Sequence, residues 1–157
     1  RQHKKEVKLM AYYSTKTYGH QIGLSAVFRQ PNADHSHCSL LHGYSLGFKF
    51  TFGCDGLDDK NWAVDFGGLR ELKGWLEDMF DHKLVLDKND PHMETFKDLQ
   101  KKKLCEIRVL DGVGAEKFAH HAWQRADQMI REFTDNRCWC ESVECMEHGA
   151  NSAIYQR

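Results

Sequence analysis

Three histidines and a cysteine crowd the stretch "DHSHCSLLHGYSLGF": His35, His37, Cys38 and His42. Neutral imidazoles and thiolates are the side chains zinc takes, and a catalytic zinc keeps three protein ligands and one open position. The spacing H-x-H-C-x3-H allows such convergence, although on spacing alone a solvated loop with one structural histidine is favoured. Cys38 reads either as a reactive thiol or as a small apolar filler.

Three further places carry groups able to move or hold protons. In "FDHKL", Asp81 directly precedes His82, an order that suits a carboxylate orienting an imidazole for proton transfer near neutral pH. The plainer reading is a histidine complementing the dipole at a helix C-terminus. In "VECMEHGANSAIY", Glu147 ends the apolar series Val143, Cys145 along one strand face. A carboxylate there meets either water or a ligand with paired N–H donors. In "VGAEKFA", Glu116 falls in the first turn of a helix and reads as structural, held by the free N–H groups there, although a first-turn carboxylate can also face a pocket.

The elements that must position these groups show in the hydrophobic period. "TYGHQIGLSAVF" (17–28) and "LHGYSLGFKFTF" (41–52) alternate as strands, with His42, Tyr44, Leu46, Phe48, Phe50 and Phe52 on one face of the second. "WAVDF" (62–66) reads as a short extended piece. Leu69, Leu72, Leu76 and Met79 form a helical stripe, with Asp65 as its cap and Asp81 just past its end. "HMETFKDLQKKK" reads as a short exposed helix, "LCEIRVL" as a strand, "GAEKFAHHAWQRADQMIREF" as a second strong helix and "RCWCESVECMEHGANSAIYQR" as strand-like. The tally is four or five strands and two main helices, an α+β domain with the helices on one face of an antiparallel sheet. A sheet covered on one face buries the other by assembly.

The totals narrow the function. A chain of 157 residues is expected to form a single domain, 1–157. A formal charge of −1 gives no global field for nucleic acid or an anionic membrane. No apolar run is long enough to span a bilayer, and "RQHKKEVKLMAYY" lacks the apolar centre of a secretion signal. Six scattered cysteines in such a chain fit free thiols in a reducing, cytoplasmic setting, with Cys138 and Cys140 taken as ordinary strand residues.

Taken in order, "LSAVFRQP", "HCSLLHGYSL", "WAVDFGGLRELK", "FDHKL", "GAEKFA" and "VECMEHGANSAIY" resemble the 6-pyruvoyltetrahydropterin synthase / 6-carboxytetrahydropterin synthase family over about residues 17–155. The resemblance implies the tunnelling fold, in which a sheet backed by two helices assembles into a barrel, usually a homo-hexamer built from two trimers. It places Cys38 on the family's catalytic cysteine, Asp81 and His82 on its Asp-His pair, and Glu147 on the glutamate that anchors the pterin ring. His42 falls on one of three zinc histidines.

The other two zinc positions hold Phe28, in "AVFRQ", and Tyr44, in "HGY". Phenylalanine binds no metal and tyrosine is a poor neutral ligand, so the family's three-histidine site is absent. The expectation is a relocated zinc on His42, His37 and His148, with His35 as the alternative. Loss of the metal, or metal-free catalysis by Cys38, Asp81 and His82, are the other two readings. The implied substrate is 7,8-dihydroneopterin triphosphate. Its side chain would be processed either by carbon–carbon cleavage to 6-carboxytetrahydropterin, a precursor of 7-deazaguanines such as queuosine, or by triphosphate elimination to the 6-pyruvoyl product. Cleavage is taken first because most bacterial-type members carry it out. A repurposed pterin- or purine-binding oligomer is the non-catalytic alternative. The phosphates would be met by Arg29, Lys49, Arg70 and Lys83 only if an oligomer gathers them.

Overall fold

Alternation of large apolar side chains with small or polar ones produces the longest strand. In the computed structural model, which describes residues 11–157, the seven strands are β1 (Tyr12–Tyr18), β2 (Leu24–Phe28), β3 (His42–Cys54), β4 (Lys83–Asp87), β5 (Ile107–Leu110), β6 (Cys138–His148) and β7 (Asn151–Gln156). The three α-helices are α1 (Arg70–Phe80), α2 (Met93–Lys101) and α3 (Ala115–Phe133). Most of the stretch read for a secretion signal lies outside the described residues.

The sheet order is β5-β4-β2-β3-β6-β7, with β1 paired to the second half of β3. Pairings around β3 and β6 are antiparallel, but β2 with β4 and β4 with β5 are parallel. The sheet is therefore mixed, not the antiparallel sheet expected. Three features of the chain account for the differences. The segment 17–28 is broken at Gly23, whose φ of 80° ends a short 3-10 turn and separates β1 from β2. "WAVDF" forms no strand; instead Asp65 accepts the Gly67 N–H at 2.9 Å and caps the 3-10 turn that leads into α1. "KLVLD" is a strand without alternation because both of its faces are covered. Val85 packs in the main core, whereas Leu84 and Leu86 pack with Phe96 of α2.

That split places α2 on the opposite side of the sheet from α1 and α3. The main core lies between α1, α3 and the face of β3 that carries Leu46, Phe48, Phe50 and Phe52, all fully buried. Phe28 and Phe80 meet Phe118 of α3 edge-on at 5.0 and 5.2 Å. Alanines 119, 122 and 126 let α3 lie close to the sheet. The reverse face of β1, β3, β6 and β7 presents Thr15, Thr17, Lys49, Glu144 and Ile154, and none of the three α-helices packs there.

Candidate functional site

Alternation along β3 puts His42 and Tyr44 on the core face of the sheet but at its rim, where both are half-buried. Phe28 is the cross-strand partner of His42, and their rings lie 4.8 Å apart. Tyr44 stands 5.5 Å from His42, 6.0 Å from Phe28 and 5.9 Å from His148 at the end of β6. Four rings thus form one cluster at the sheet's edge. Burial, then the charges of Glu147 and Cys38, push the Tyr44 hydroxyl above the usual phenol range, so thiol, phenol and carboxylate share one electrostatic neighbourhood.

Cys38 sits in a 3-10 turn (His37–Ser39) whose cap, Ser36, accepts the Cys38 N–H at 3.2 Å. It is the one exposed cysteine of six free thiols. Burial raises the thiols of Cys105, Cys138, Cys140 and Cys145, which fits inert packing for the Cys138–Cys140 pair. Glu147 does end the inward face of β6, and a hollow of about 440 Å³ lies beside it, lined by Ala115, Glu116, Glu147, Ala150, Asn151 and Ser152. Glu116, read above as structural, therefore belongs to the site. Its sequence signal was a first-turn carboxylate directly after "VGA".

The metal donors are not gathered. Among the described residues no group of three or more His, Cys, Asp or Glu side chains is placed to hold a metal ion. In the protomer the expected set of His42, His37 and His148, with His35 as alternative, is not brought to one point. The His42 Nδ1–H donates to the Leu40 carbonyl at 2.7 Å, which fixes its tautomer and leaves Nε2 as the open ring nitrogen. Both ring nitrogens of His148 are engaged in the β6–β7 turn: Nδ1 accepts the Ala150 N–H at 3.1 Å and Nε2 meets the Asn151 amide at 3.2 Å. His35 and His37 line a separate open hollow with Asp34 and Leu40. As placed in the protomer, these residues do not fit a three-ligand zinc site.

Asp81 and His82 form the pair expected of them. Asp81 Oδ1 lies 2.8 Å from His82 Nδ1 and accepts the Ser25 N–H at 3.2 Å. Burial pushes the Asp81 carboxyl up, but the His82 bond, the Ser25 N–H and the Lys83 charge outweigh it and hold it below the usual range. A carboxyl depressed in this way favours the fold above its unfolded pKa, about 3.9, and that contribution is lost as pH falls through the folded value. His82 is held at φ 57°, the left-handed region. That conformation costs an L-residue roughly 1–2 kcal/mol, which glycine escapes. His82→Gly should therefore leave stability unchanged or raise it by about 1 kcal/mol, read from the urea midpoint. A clear loss would assign the imidazole to the fold instead of to chemistry.

The pair and the thiol lie at opposite ends of β2. Ser25 anchors Asp81, and Gln30 holds the Cys38 carbonyl. Five residues of extended chain separate those anchors, roughly 16 Å. One protomer brings Cys38, Tyr44, Glu116 and Glu147 together and leaves Asp81–His82 apart.

Comparison with known proteins now adds to this geometry. The sequence model of the family described as 6-pyruvoyl tetrahydropterin synthase matches residues 18–157. The chain belongs to this family. It also resembles curated 6-carboxy-5,6,7,8-tetrahydropterin synthases. The protein of that name from Rickettsia bellii is 37% identical over 54 residues, 34% of this chain and 39% of the relative. Its namesake from Aquifex aeolicus is 36% identical over 66 residues, 41% of this chain and 40% of the relative. The matched stretches thus span about two fifths of the curated relatives' length. Among solved structures, an uncharacterised protein from Wolinella succinogenes superposes with a TM-score of 0.77 at 17% identity, covering 94% of this chain and 99% of the other. The Plasmodium vivax 6-pyruvoyltetrahydropterin synthase superposes with a TM-score of 0.64 at 12% identity, covering 94% and 98%. At such identities these two likenesses speak for the fold alone. Among the described residues no helix is long and apolar enough to cross a membrane.

Proposed function

We propose that the chain is a pterin-processing lyase that holds the pyrimidine edge of 7,8-dihydroneopterin triphosphate between Glu116 and Glu147. The observation that carries this reading is the hollow lined by two carboxylates next to the ring cluster and the exposed thiol. A 2-aminopyrimidine edge offers adjacent N–H donors, which a carboxylate accepts in a planar, two-point match. His148 directly follows Glu147, and its ring and that of Tyr44, 5.9 Å apart, would provide flat surface for the bicycle.

Cys38, as thiolate, takes a proton from the hydroxylated side chain, and the Tyr44 hydroxyl next to it supplies or accepts a hydrogen bond to the side-chain oxygen. His82, oriented by Asp81, relays the second proton. Because that pair is remote from Cys38 in one protomer, it acts on the thiol of a neighbouring copy, which calls for a homo-oligomer, with the hexamer as the working state. The product we assign is 6-carboxytetrahydropterin, with elimination to the 6-pyruvoyl product as the alternative.

A non-catalytic pterin- or purine-binding oligomer is the second reading, favoured by the ring cluster where the family's zinc ligands would stand. Neopterin titration of the purified protein, followed by fluorescence, tests the shared premise. Glu147→Gln is expected to weaken neopterin binding about 10- to 100-fold, because the charged acceptor facing the pyrimidine N–H donors is lost. Binding unchanged in that variant would remove the carboxylate pocket from the reading. A folded oligomer that binds neopterin but turns over no dihydroneopterin triphosphate would leave the binding module.

A further inference from the structure

Asp90 is the one buried charged residue among those described, 4% exposed, and the chemistry above makes no use of it. Its carboxylate accepts two bonds from Arg29 Nη1, at 2.7 and 2.8 Å, and the His92 N–H at 2.9 Å. Arg29 is also largely buried, and its Nε–H donates to the Ser39 carbonyl at 2.7 Å, one residue past Cys38. Gln30 continues the pattern. Its N–H donates to the Cys38 carbonyl at 2.8 Å, and its side-chain amide donates to the Val113 carbonyl at 2.8 Å. Val113 lies just ahead of α3 and Glu116. A side chain at Gly114 would collide with the Gln30 amide, and its φ of 107° reserves the position for glycine.

We propose that Arg29, Gln30 and Asp90 form a positioning hub that sets the separation between the Cys38 thiol and the Glu116–Glu147 carboxylates. The proposal rests on the lyase reading of that site. A buried arginine–carboxylate pair gives back in attraction about what it costs in lost hydration, so net stability does not explain its presence. What it supplies is direction. Asp90 fixes the guanidinium through Nη1, and the Nε–H points at a single carbonyl. The thiol turn has few other tethers, since Cys38, Leu40 and Leu41 are exposed and Ser36 and Ser39 bond within the turn itself. Two consecutive residues therefore tie the turn on one side to the Asp90 corner and on the other to the start of α3. A reacting group displaced by an ångström loses much of its rate, so such tethers act on turnover before they act on binding.

The test is the double substitution Arg29→Met/Asp90→Leu, which removes the pair without leaving a lone buried charge. Amide exchange, neopterin affinity and turnover are measured on the intact oligomer. The expected result is exchange at Cys38–Leu40 raised at least tenfold, kcat lowered at least tenfold, and KM and neopterin affinity within about threefold of wild type. A folded double variant with wild-type exchange and kcat would overturn the hub. Should that variant fail to fold, Arg29→Lys, which keeps the charge opposite Asp90 and loses the fork, is expected to show the same split. Equal changes in kcat and neopterin affinity there would overturn it as well. If wild-type protein neither binds neopterin nor turns over substrate, the lyase reading falls, and the exchange result alone decides whether the hub holds the thiol turn.

Discussion

Cys38→Ala is expected to lower turnover of 7,8-dihydroneopterin triphosphate about a thousandfold while leaving neopterin affinity within about threefold. The size follows from the role proposed for the thiol. A positioned general base contributes about 10²–10⁴ in rate, and alanine leaves nothing within reach to replace it. The selectivity follows from the fold. Cys38 is the one exposed cysteine, whereas Cys105 is partly covered and Cys54, Cys138, Cys140 and Cys145 are buried in the main core. The turn that carries it is capped by Ser36 and held by the Gln30 N–H, so removing the sulfur disturbs no packing. Product analysis with wild type and variant side by side is the measurement. Wild-type turnover in Cys38→Ala would sink the thiol mechanism, and a large fall in neopterin affinity would place Cys38 in binding instead.

The second large effect concerns a metal. The double substitution Phe28→His/Tyr44→His is expected to create a zinc site of submicromolar affinity, with about one zinc per chain by elemental analysis, lost again on adding His42→Ala. The register supports this. Phe28 and His42 are direct cross-strand partners, Tyr44 lies two residues on along the same face, and their ring centroids already fall 4.8–6.0 Å apart. Imidazoles at those places would converge from one side and leave the fourth position open. Before zinc is added the variant should be less stable, since Phe28 packs edge-on against Phe118 and a buried imidazole needs a partner. Thermal melts with and without zinc would show that loss and its recovery. Wild-type protein is expected to hold no zinc that depends on His42. Zinc in the wild type that disappears with His37→Ala and His148→Ala would restore the relocated ligand set.

Between them the two substitutions separate what the side chains at this rim do. Tyr44 sits between a thiol and a carboxylate, a proton-transfer neighbourhood, while Phe28 fills the core beneath it. Position 44 thus touches the thiol and carboxylate neighbourhood on one side and, through Phe28, the packing of α3 on the other.

Much of this arrangement is legible in the residues by themselves. The period-2 series from His42 to Phe52 determines both the strand and its buried face, because one misaligned residue would turn five large apolar groups into water. Leu72, Leu76 and Phe80 at helical spacing determine α1 in the same way, and the sequence from 18 to 157 suffices to place the chain in its family. Tertiary structure decided the rest. The run Leu84-Val85-Leu86 has no period to read, since α2 covers one of its faces and the main core the other. Glu116 faces the hollow only because α3 starts beside the end of β6. The histidines at 35, 37, 42 and 148 have the right types for zinc, yet the β6–β7 turn engages both ring nitrogens of His148, and the loop carries His35 and His37 to another hollow, which leaves His42 without co-ligands among the described residues. Composition states which donors a chain owns; whether their lone pairs are free and aimed at one point depends on the backbone atoms that folding places beside them.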